Sequence, residues 1–336
     1  MNIIKKLIKA ILERFNLEKT SKRSFFGLPD LGLISDKFDR DDDIILSYSM
    51  GKVGSKAVAI SLEDQGFNVI YLHYLNDKSF GQREHTFHDS LYQPSRIARI
   101  YSTNAAGKYL RNRLFLDGGN SLQGLKIISG FREPVDYLVS TYFDGFSNYF
   151  SSAIKQKNGV INFDTIREHF LERIEIYLEL FSGKEYTEDE NYSELWHNHK
   201  SFDVRQFLLI SRWPLIWFDR ELKGIFDFDI YSKPFDKQQS YGLYRKNEIS
   251  ILIMKWERFN ELANNVIAKF INRPEFRLKS RNVGLEKDYG NLYRDFRSSI
   301  VLPKEFLELQ YSSKYSKFFY TEQELDQFKQ RWSGGA

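Results

Sequence analysis

The stretch SYSMGKVGSKAVAISLEDQG, Ser47 to Gly66, sets Gly51, Lys52, Val53, Gly54, Ser55 and Lys56 between a short apolar run and a helical pattern. The run before it, DIILSYS (Asp43–Ser49), reads as a buried strand, and Ser55 to Gln65 reads as a helix that Gly66 stops. A strand, a glycine turn and a helix together make an anion site. Backbone N–H groups and the positive end of the helix dipole converge on the turn, and a lysine there adds a full charge. The residue order does not fit the triphosphate loop G-x-x-x-x-G-K-[ST], and G-x-G-x-x-G is absent as well. Lys52 precedes the second glycine, so its side chain springs from the turn and not from the helix. A plain strand–helix turn with surface lysines is the other reading.

Working outward, FNVIYLHYL (Phe67–Leu75) and LKIISGF (Leu125–Phe131) read as second and third buried strands, with Ser95 to Phe115 helical between them. Pro134 opens a further helix, at a position where its missing N–H costs nothing. Strands alternating with helices predict an α/β domain. The expected form is a three-layer αβα arrangement with a mostly parallel central sheet, a P-loop-like loop after the first strand and a helical C-terminal part. Phe163–Ser182 and the region near Phe202–Phe218 are helical patterns, and EISILIMKWERF (Glu248–Phe259) begins as a strand and passes into a helix. Thr321 with Glu324 forms a capping-box pattern for the last helix. The expected division is a lead-in over 1–42, one domain over 43–332 and a tail over 333–336.

Hydrophobic residues make up 42% of the 336 and aromatics 16%, too many for a disordered chain. The formal charge of +4 suits a local anion site better than the broad basic face of a nucleic-acid binder. There is no cysteine, which excludes disulfides and thiolate–metal sites. The N-terminal apolar positions Ile3, Ile4, Leu7, Ile8, Ile11, Leu12 and Phe15 recur at helical spacing among Lys5, Lys6, Lys9 and Arg14. Such a helix is suited either to an anionic membrane surface, through residues 1–20, or to packing on the domain. No signal peptide and no ~20-residue apolar window is read, so the expected setting is the cytoplasm, with a peripheral position at the inner face of the cell membrane open.

A second motif is GFREPVDYLVSTYF (Gly130–Phe143). Arg132 stands at the end of a strand, and Ser140 follows eight residues later in the next helix. A guanidinium fork and a hydroxyl can grip one phosphate between them. Taken with the first loop, this motif resembles those of the PAPS-dependent sulfotransferases (PAPS, 3′-phosphoadenosine 5′-phosphosulfate). In that superfamily a lysine-bearing loop after the first strand binds the 5′-phosphosulfate, and R-x-P-x-x-x-x-x-S after a later strand binds the 3′-phosphate. The resemblance is nearest to bacterial capsular-polysaccharide-synthesis and carbohydrate sulfotransferases. It extends to PLIWFDRELKGIFDFDIYSKPFD (Pro214–Asp236) and YSSKYSKFFYTEQEL (Tyr311–Leu325), and covers roughly 43–332. Lys56 departs from it, since many relatives carry Ser or Thr there.

The resemblance implies a sulfotransferase that moves the sulfuryl group from PAPS to a hydroxyl of a glycan or glycolipid, leaving PAP and using no metal. It places Lys52 against the leaving phosphate and Gly51 to Lys56 around the 5′-group. Arg132 and Ser140 fall to the 3′-phosphate, Lys314 approaches the cofactor phosphate, and His73, at the end of the second strand, becomes the base. Glu84, His85 and His88 are the fallback bases, and for His73 a satisfied core histidine is the other reading. Lys314 is otherwise a surface lysine. Trp213, Trp217 and Phe218 fit a sugar-stacking face or, at helical spacing, core. Asp219 and Arg220 bind sugar hydroxyls or pair with neighbours. A nucleotide-dependent kinase and a non-catalytic capsule-assembly protein of the same fold are the alternatives. No nucleic-acid partner is expected.

Overall fold

The structure, a computed structural model, describes residues 43–79, 107–115, 123–183, 201–279 and 290–334. The N-terminal helix and lead-in, Glu84, His85, His88 and the acidic segment after Gly183 lie outside the described residues.

Strand β1 (Ile44–Tyr48) is buried from Ile45 onward. It pairs in parallel with β2 (Asn68–Leu72) from Ile44↔Asn68 to Tyr48↔Leu72. On its other edge it pairs in parallel with β3 (Lys126–Phe131), from Ile45↔Lys126 to Ser47↔Ile128. A strand with parallel neighbours on both sides lies deep in its sheet, and that explains the unbroken apolar run in place of alternation. Helix α1 (Ser55–Glu63) makes the connection from β1 to β2. It ends at Gly66, whose φ of +88° is the left-handed conformation that favours glycine.

The sheet order is β2-β1-β3-β5-β4, where β4 is Tyr241–Lys246 and β5 is Ile249–Lys255. Asn247 and Glu248 join β4 to β5 as a two-residue hairpin loop, with Asn247 at φ +51°. The fold is therefore α/β with a mostly parallel five-stranded sheet. The β5 strand and its passage into helix agree with the reading of Glu248–Phe259. The edge strand β4 was not foreseen: it is half exposed, and its residues YGLYRK lack the apolar density of the buried strands.

The described chain divides into two compact units. The first comprises the described parts of Met1–Ser49, Val58–Ser129 and Leu243–Leu252; the second comprises Met50–Ala57 and the described parts of Gly130–Gly242 and Ile253–Ala336. In the second unit α2 (Pro134–Asp144) begins with Pro134 at its first position and Glu133 as N-cap. It is followed by α3 (Ser151–Asn158), α4 (Phe163–Phe181), α5 (Phe202–Trp217), α6 (Phe259–Phe270), α7 (Gly290–Ser299), α8 (Lys304–Tyr311), α9 (Lys314–Phe319) and α10 (Glu322–Trp332). Between α5 and β4, Phe218–Lys223 forms a π-helical turn.

Aromatic packing holds this unit together. Tyr142 stacks on Phe150 at 4.4 Å and meets Phe170 edge-on at 5.0 Å, while Phe131 stacks on Phe319 at 4.1 Å. Each such pair contributes roughly 0.5–1.5 kcal/mol beyond the area it buries. Behind Tyr142 runs a buried polar chain. Its hydroxyl meets His169 Nδ1 at 2.9 Å, His169 Nε2 meets Asp203 at 3.0 Å, and Arg173 donates to Asp203 at 2.7 Å. Among the described residues no helix is long and apolar enough to cross a membrane.

Candidate anion site in the second unit

The loop after β1 is left-handed at three positions, Gly51 at φ +90°, Lys52 at φ +56° and, beyond Val53, Gly54 at φ +74°. Gly51 and Gly54 take such values without penalty, whereas Lys52 stores backbone strain of about 1–2 kcal/mol. Gly54 is also pressed for space, since a Cβ there would lie 2.7 Å from Trp256 and 2.8 Å from Phe259. The Val53 side chain packs against Gly130, where a Cβ would come within 3.1 Å of it. Ser55 is buried at the start of α1, and Lys56 beside it is exposed.

Buried side chains tether this loop by its carbonyl groups. The Met50 carbonyl accepts from Tyr137 Oη at 3.2 Å and from Trp213 Nε1 at 3.1 Å. The Lys52 carbonyl accepts from Arg132 Nη1 at 3.1 Å. The Lys52 ammonium, about a quarter exposed, lies 2.8 Å from the carboxylate of Asp144, the last residue of α2.

Arg132 is buried, and its Nε and Nη2 donate to Asp136 Oδ2 at 2.9 and 2.6 Å. The fork read as a phosphate grip thus has one edge on a carboxylate of its own segment. Burial disfavours the charge on Arg132, but the Asp136 carboxylate outweighs it and holds the guanidinium above its ordinary pKa. The Asp136 carboxylate also receives Arg297 Nε at 2.6 Å and lies 3.6 Å from Arg331. Burial pushes Asp136 up, yet Arg132 and Arg297 together hold it well below the usual carboxylate range. Ser140 follows Asp136 by one turn. Asp136, Ser140 and Asp144, spaced by four, share one face of α2.

Glu133 caps α2 by accepting from the backbone N–H of Val135 and Asp136, each at 2.7 Å. It also accepts from Tyr311 at 2.7 Å and from the Trp332 indole at 3.2 Å. Burial, and then the Asp136 charge, push its carboxyl up to about 7 against those hydrogen bonds. Burial likewise raises Glu257, which accepts from the Glu133 N–H at 2.6 Å.

His73 belongs to the first unit and is the residue after β2. Its Nδ1 lies 2.7 Å from the Ser49 carbonyl, an acceptor only, so Nδ1 carries the proton of the neutral ring. Nε2 then accepts from Tyr71 Oη at 2.7 Å. Lys314 opens α9, with its ammonium 3.3 Å from Asp219 and 4.0 Å from the centre of the Tyr231 ring. Trp213, Trp217 and Phe218 are buried, which favours core over a sugar-stacking face, and Asp219 pairs with Lys314 of a later helix.

The structure thus brings Lys52 and Arg132 together within the second unit, with Ser140 on the helix that follows. Sequence reading missed Asp136, Asp144 and Tyr137, and it took Trp213 as a stacking or core ring and not as a donor to the loop. The two aspartates carried a signal, because they share a four-residue spacing with Arg132 and Ser140. The two aromatics carried none, because their hydrogen bonds to Met50 are long-range.

Residues 202–321, about a third of the chain, match the NKWYS family, described as "Putative capsular polysaccharide synthesis protein". That span holds Trp213 and Lys314, while Gly51 to Lys56, His73, Arg132 and Ser140 lie before it. No curated protein and no solved structure matches the chain. Over residues 202–321, therefore, the chain is similar to a capsular polysaccharide synthesis domain.

Proposed function

We propose that the protein is a sulfotransferase that uses PAPS to sulfate a hydroxyl of a glycan or glycolipid in capsular polysaccharide synthesis. One observation carries this reading. The two motifs of the resemblance, 80 residues apart in sequence, meet in the hydrogen bond from Arg132 to the Lys52 carbonyl. When bound, PAPS supplies an activated sulfuryl group that passes to the acceptor oxygen as the 5′-phosphate leaves.

Gly51 to Lys56 hold the 5′-group, and Lys52 offsets the charge that grows on the leaving oxygen, the positioning and electrostatic work such transfers require. Arg132 and Ser140 serve the 3′-phosphate, and Lys314 adds a cation for the cofactor's phosphates. Arg132 does so through the Nη protons that Asp136 and the Lys52 carbonyl do not use. For the acceptor's proton the resemblance points to His73, whose Nε2 lone pair accepts from Tyr71. The kinase alternative has less support, because the loop lacks the G-K-[ST] order.

The test is thermal unfolding of the full chain with PAP, ATP–Mg²⁺ or GDP, repeated on Lys52→Ala and Ser140→Ala. A ligand at a hundredfold excess over Kd stabilises by about 2.7 kcal/mol. The expected result is a rise in Tm with PAP alone that Lys52→Ala abolishes and Ser140→Ala reduces. Arg132→Ala is a poor probe, since it takes both Arg132 donors from the buried Asp136 Oδ2. No shift with PAP, or a larger one with ATP–Mg²⁺, overturns the assignment.

A non-catalytic role in capsule assembly is the second reading. The family match favours it in one respect, since it stops short of the loop and of His73. PAP binding without sulfate transfer to any capsular acceptor would decide for it.

A further inference from the structure

Two hydrogen bonds on one backbone carbonyl, both from buried side chains, are an unusual expense at a loop. Tyr137 and Trp213 sit on different helices, α2 and α5, and each reaches the Met50 carbonyl at hydrogen-bond distance. Both side chains are almost fully buried. A carbonyl oxygen has two lone pairs, so the pair of donors saturates it. The next carbonyl but one, that of Lys52, is taken by Arg132.

The consequence follows from covalent geometry. A trans peptide is planar, with its C=O and the following N–H pointing in opposite directions. No cis peptide is present among the described residues. Drawing the Met50 carbonyl toward Tyr137 and Trp213 therefore directs the Gly51 N–H away from them. Drawing the Lys52 carbonyl toward Arg132 likewise directs the Val53 N–H away from Arg132. These two N–H groups flank the left-handed Lys52 in a glycine turn, and backbone amides of such turns are the groups from which anion-binding concavities are built. The strain at Lys52 fits the same picture, because the tethers hold a conformation the chain would otherwise leave.

We infer that Tyr137 and Trp213 are positioning residues that set the Gly51 and Val53 amides for an anionic ligand, with Arg132 acting on the loop backbone as well as on charge. The inference rests on the PAPS reading for the identity of the ligand, a nucleotide phosphate, but not for the geometry of the loop. Trp213 lies inside the region that matches the capsular family, and it joins that region to a loop outside it.

The test uses Tyr137→Phe and Trp213→Phe, alone and together, in the full chain. Both remove a donor and keep an aromatic ring. Tyr177→Phe, which removes a buried hydroxyl bonded to Gln310, is the control. Two quantities are read: PAP affinity by titration calorimetry, and hydrogen exchange of the peptide spanning 47–58 without ligand. Each loop variant is expected to weaken PAP about 3- to 10-fold, the equivalent of one hydrogen bond, and to speed exchange in that peptide several-fold. The control should change neither, although it loses comparable stability.

Unchanged affinity and unchanged exchange in the loop variants, with PAP still bound by the wild type, would overturn the inference and leave the PAPS reading standing. If the wild type binds no PAP, the PAPS reading fails and exchange alone decides. Faster exchange confined to the loop peptide then supports the tether, and exchange equal to the control's overturns it.

Discussion

Two glycines separate the contribution of backbone conformation from that of space. Gly54 and Gly66 both have left-handed φ, but a Cβ at Gly66 would touch nothing within 4 Å, whereas at Gly54 it would run into Trp256 and Phe259. Gly66→Ala should therefore cost only the backbone term, about 1 kcal/mol. Gly54→Ala adds a clash with two packed rings and should cost about 2–4 kcal/mol, within the overpacking range plus strain. Urea unfolding of both variants checks the difference, and equal losses would mean that the rings yield freely. Gly54→Ala should also lose PAP binding, because α1 begins at the next residue.

At the scale of elements, the last helix matters more than its polarity suggests. Helix α10 starts with a complete capping box, Thr321 accepting from the Glu324 N–H and Glu324 accepting from the Thr321 N–H. It ends at Trp332, fully buried, whose indole donates to Glu133 at the start of α2. The Glu324 carboxylate also pairs with Lys255, a buried lysine at the end of β5. Thr321→Ala removes one cap and should cost about 1 kcal/mol. Trp332→Ala removes the anchor and one of the four donors to the buried Glu133, and should cost about 3–5 kcal/mol. Denaturant midpoints of the two variants test this ranking. A Trp332→Ala variant no weaker than Thr321→Ala would show that α10 is not bound through its end.

At the scale of the whole molecule, the buried carboxyls give stability opposing pH dependences. Glu133 has a folded pKa of about 7 against an ordinary 4.5, so the folded chain keeps a proton that the unfolded chain has released. Its contribution is fully present below about pH 4.5 and is lost as pH rises through about 7, on the order of 3 kcal/mol in all. Glu257, raised by burial, acts in the same direction. Asp136 acts oppositely: its folded pKa is depressed, so its contribution is present above the ordinary carboxylate range and is lost as pH falls through the folded value. Unfolding free energy should therefore fall between about pH 4.5 and pH 7, and the fall should shrink in Glu133→Gln. A wild-type profile flat over that interval would mean that Glu133 stays ionised, held by its four donors.

Much of the first unit was legible because its signals are local. An apolar run without alternation implies a strand covered on both faces; β1 and β3 follow from that within one residue at each end, and β2 stops at Leu72, three residues short of the end read for it. Pro134, Gly66 and the Thr321–Glu324 pair mark helix ends through the chemistry of a few adjacent atoms. The edge strand β4 escaped because half-exposed strands carry little apolar pattern. The sequence by itself determined the strand–turn–helix that holds Lys52, and the α/β class. Only the tertiary structure decided what Arg132 touches, which carboxylate meets Lys52 and which side chains hold the Met50 carbonyl. Those partners lie 80, 92, 87 and 163 residues apart along the chain, and local pattern cannot encode a contact that forms only when helices from distant segments pack.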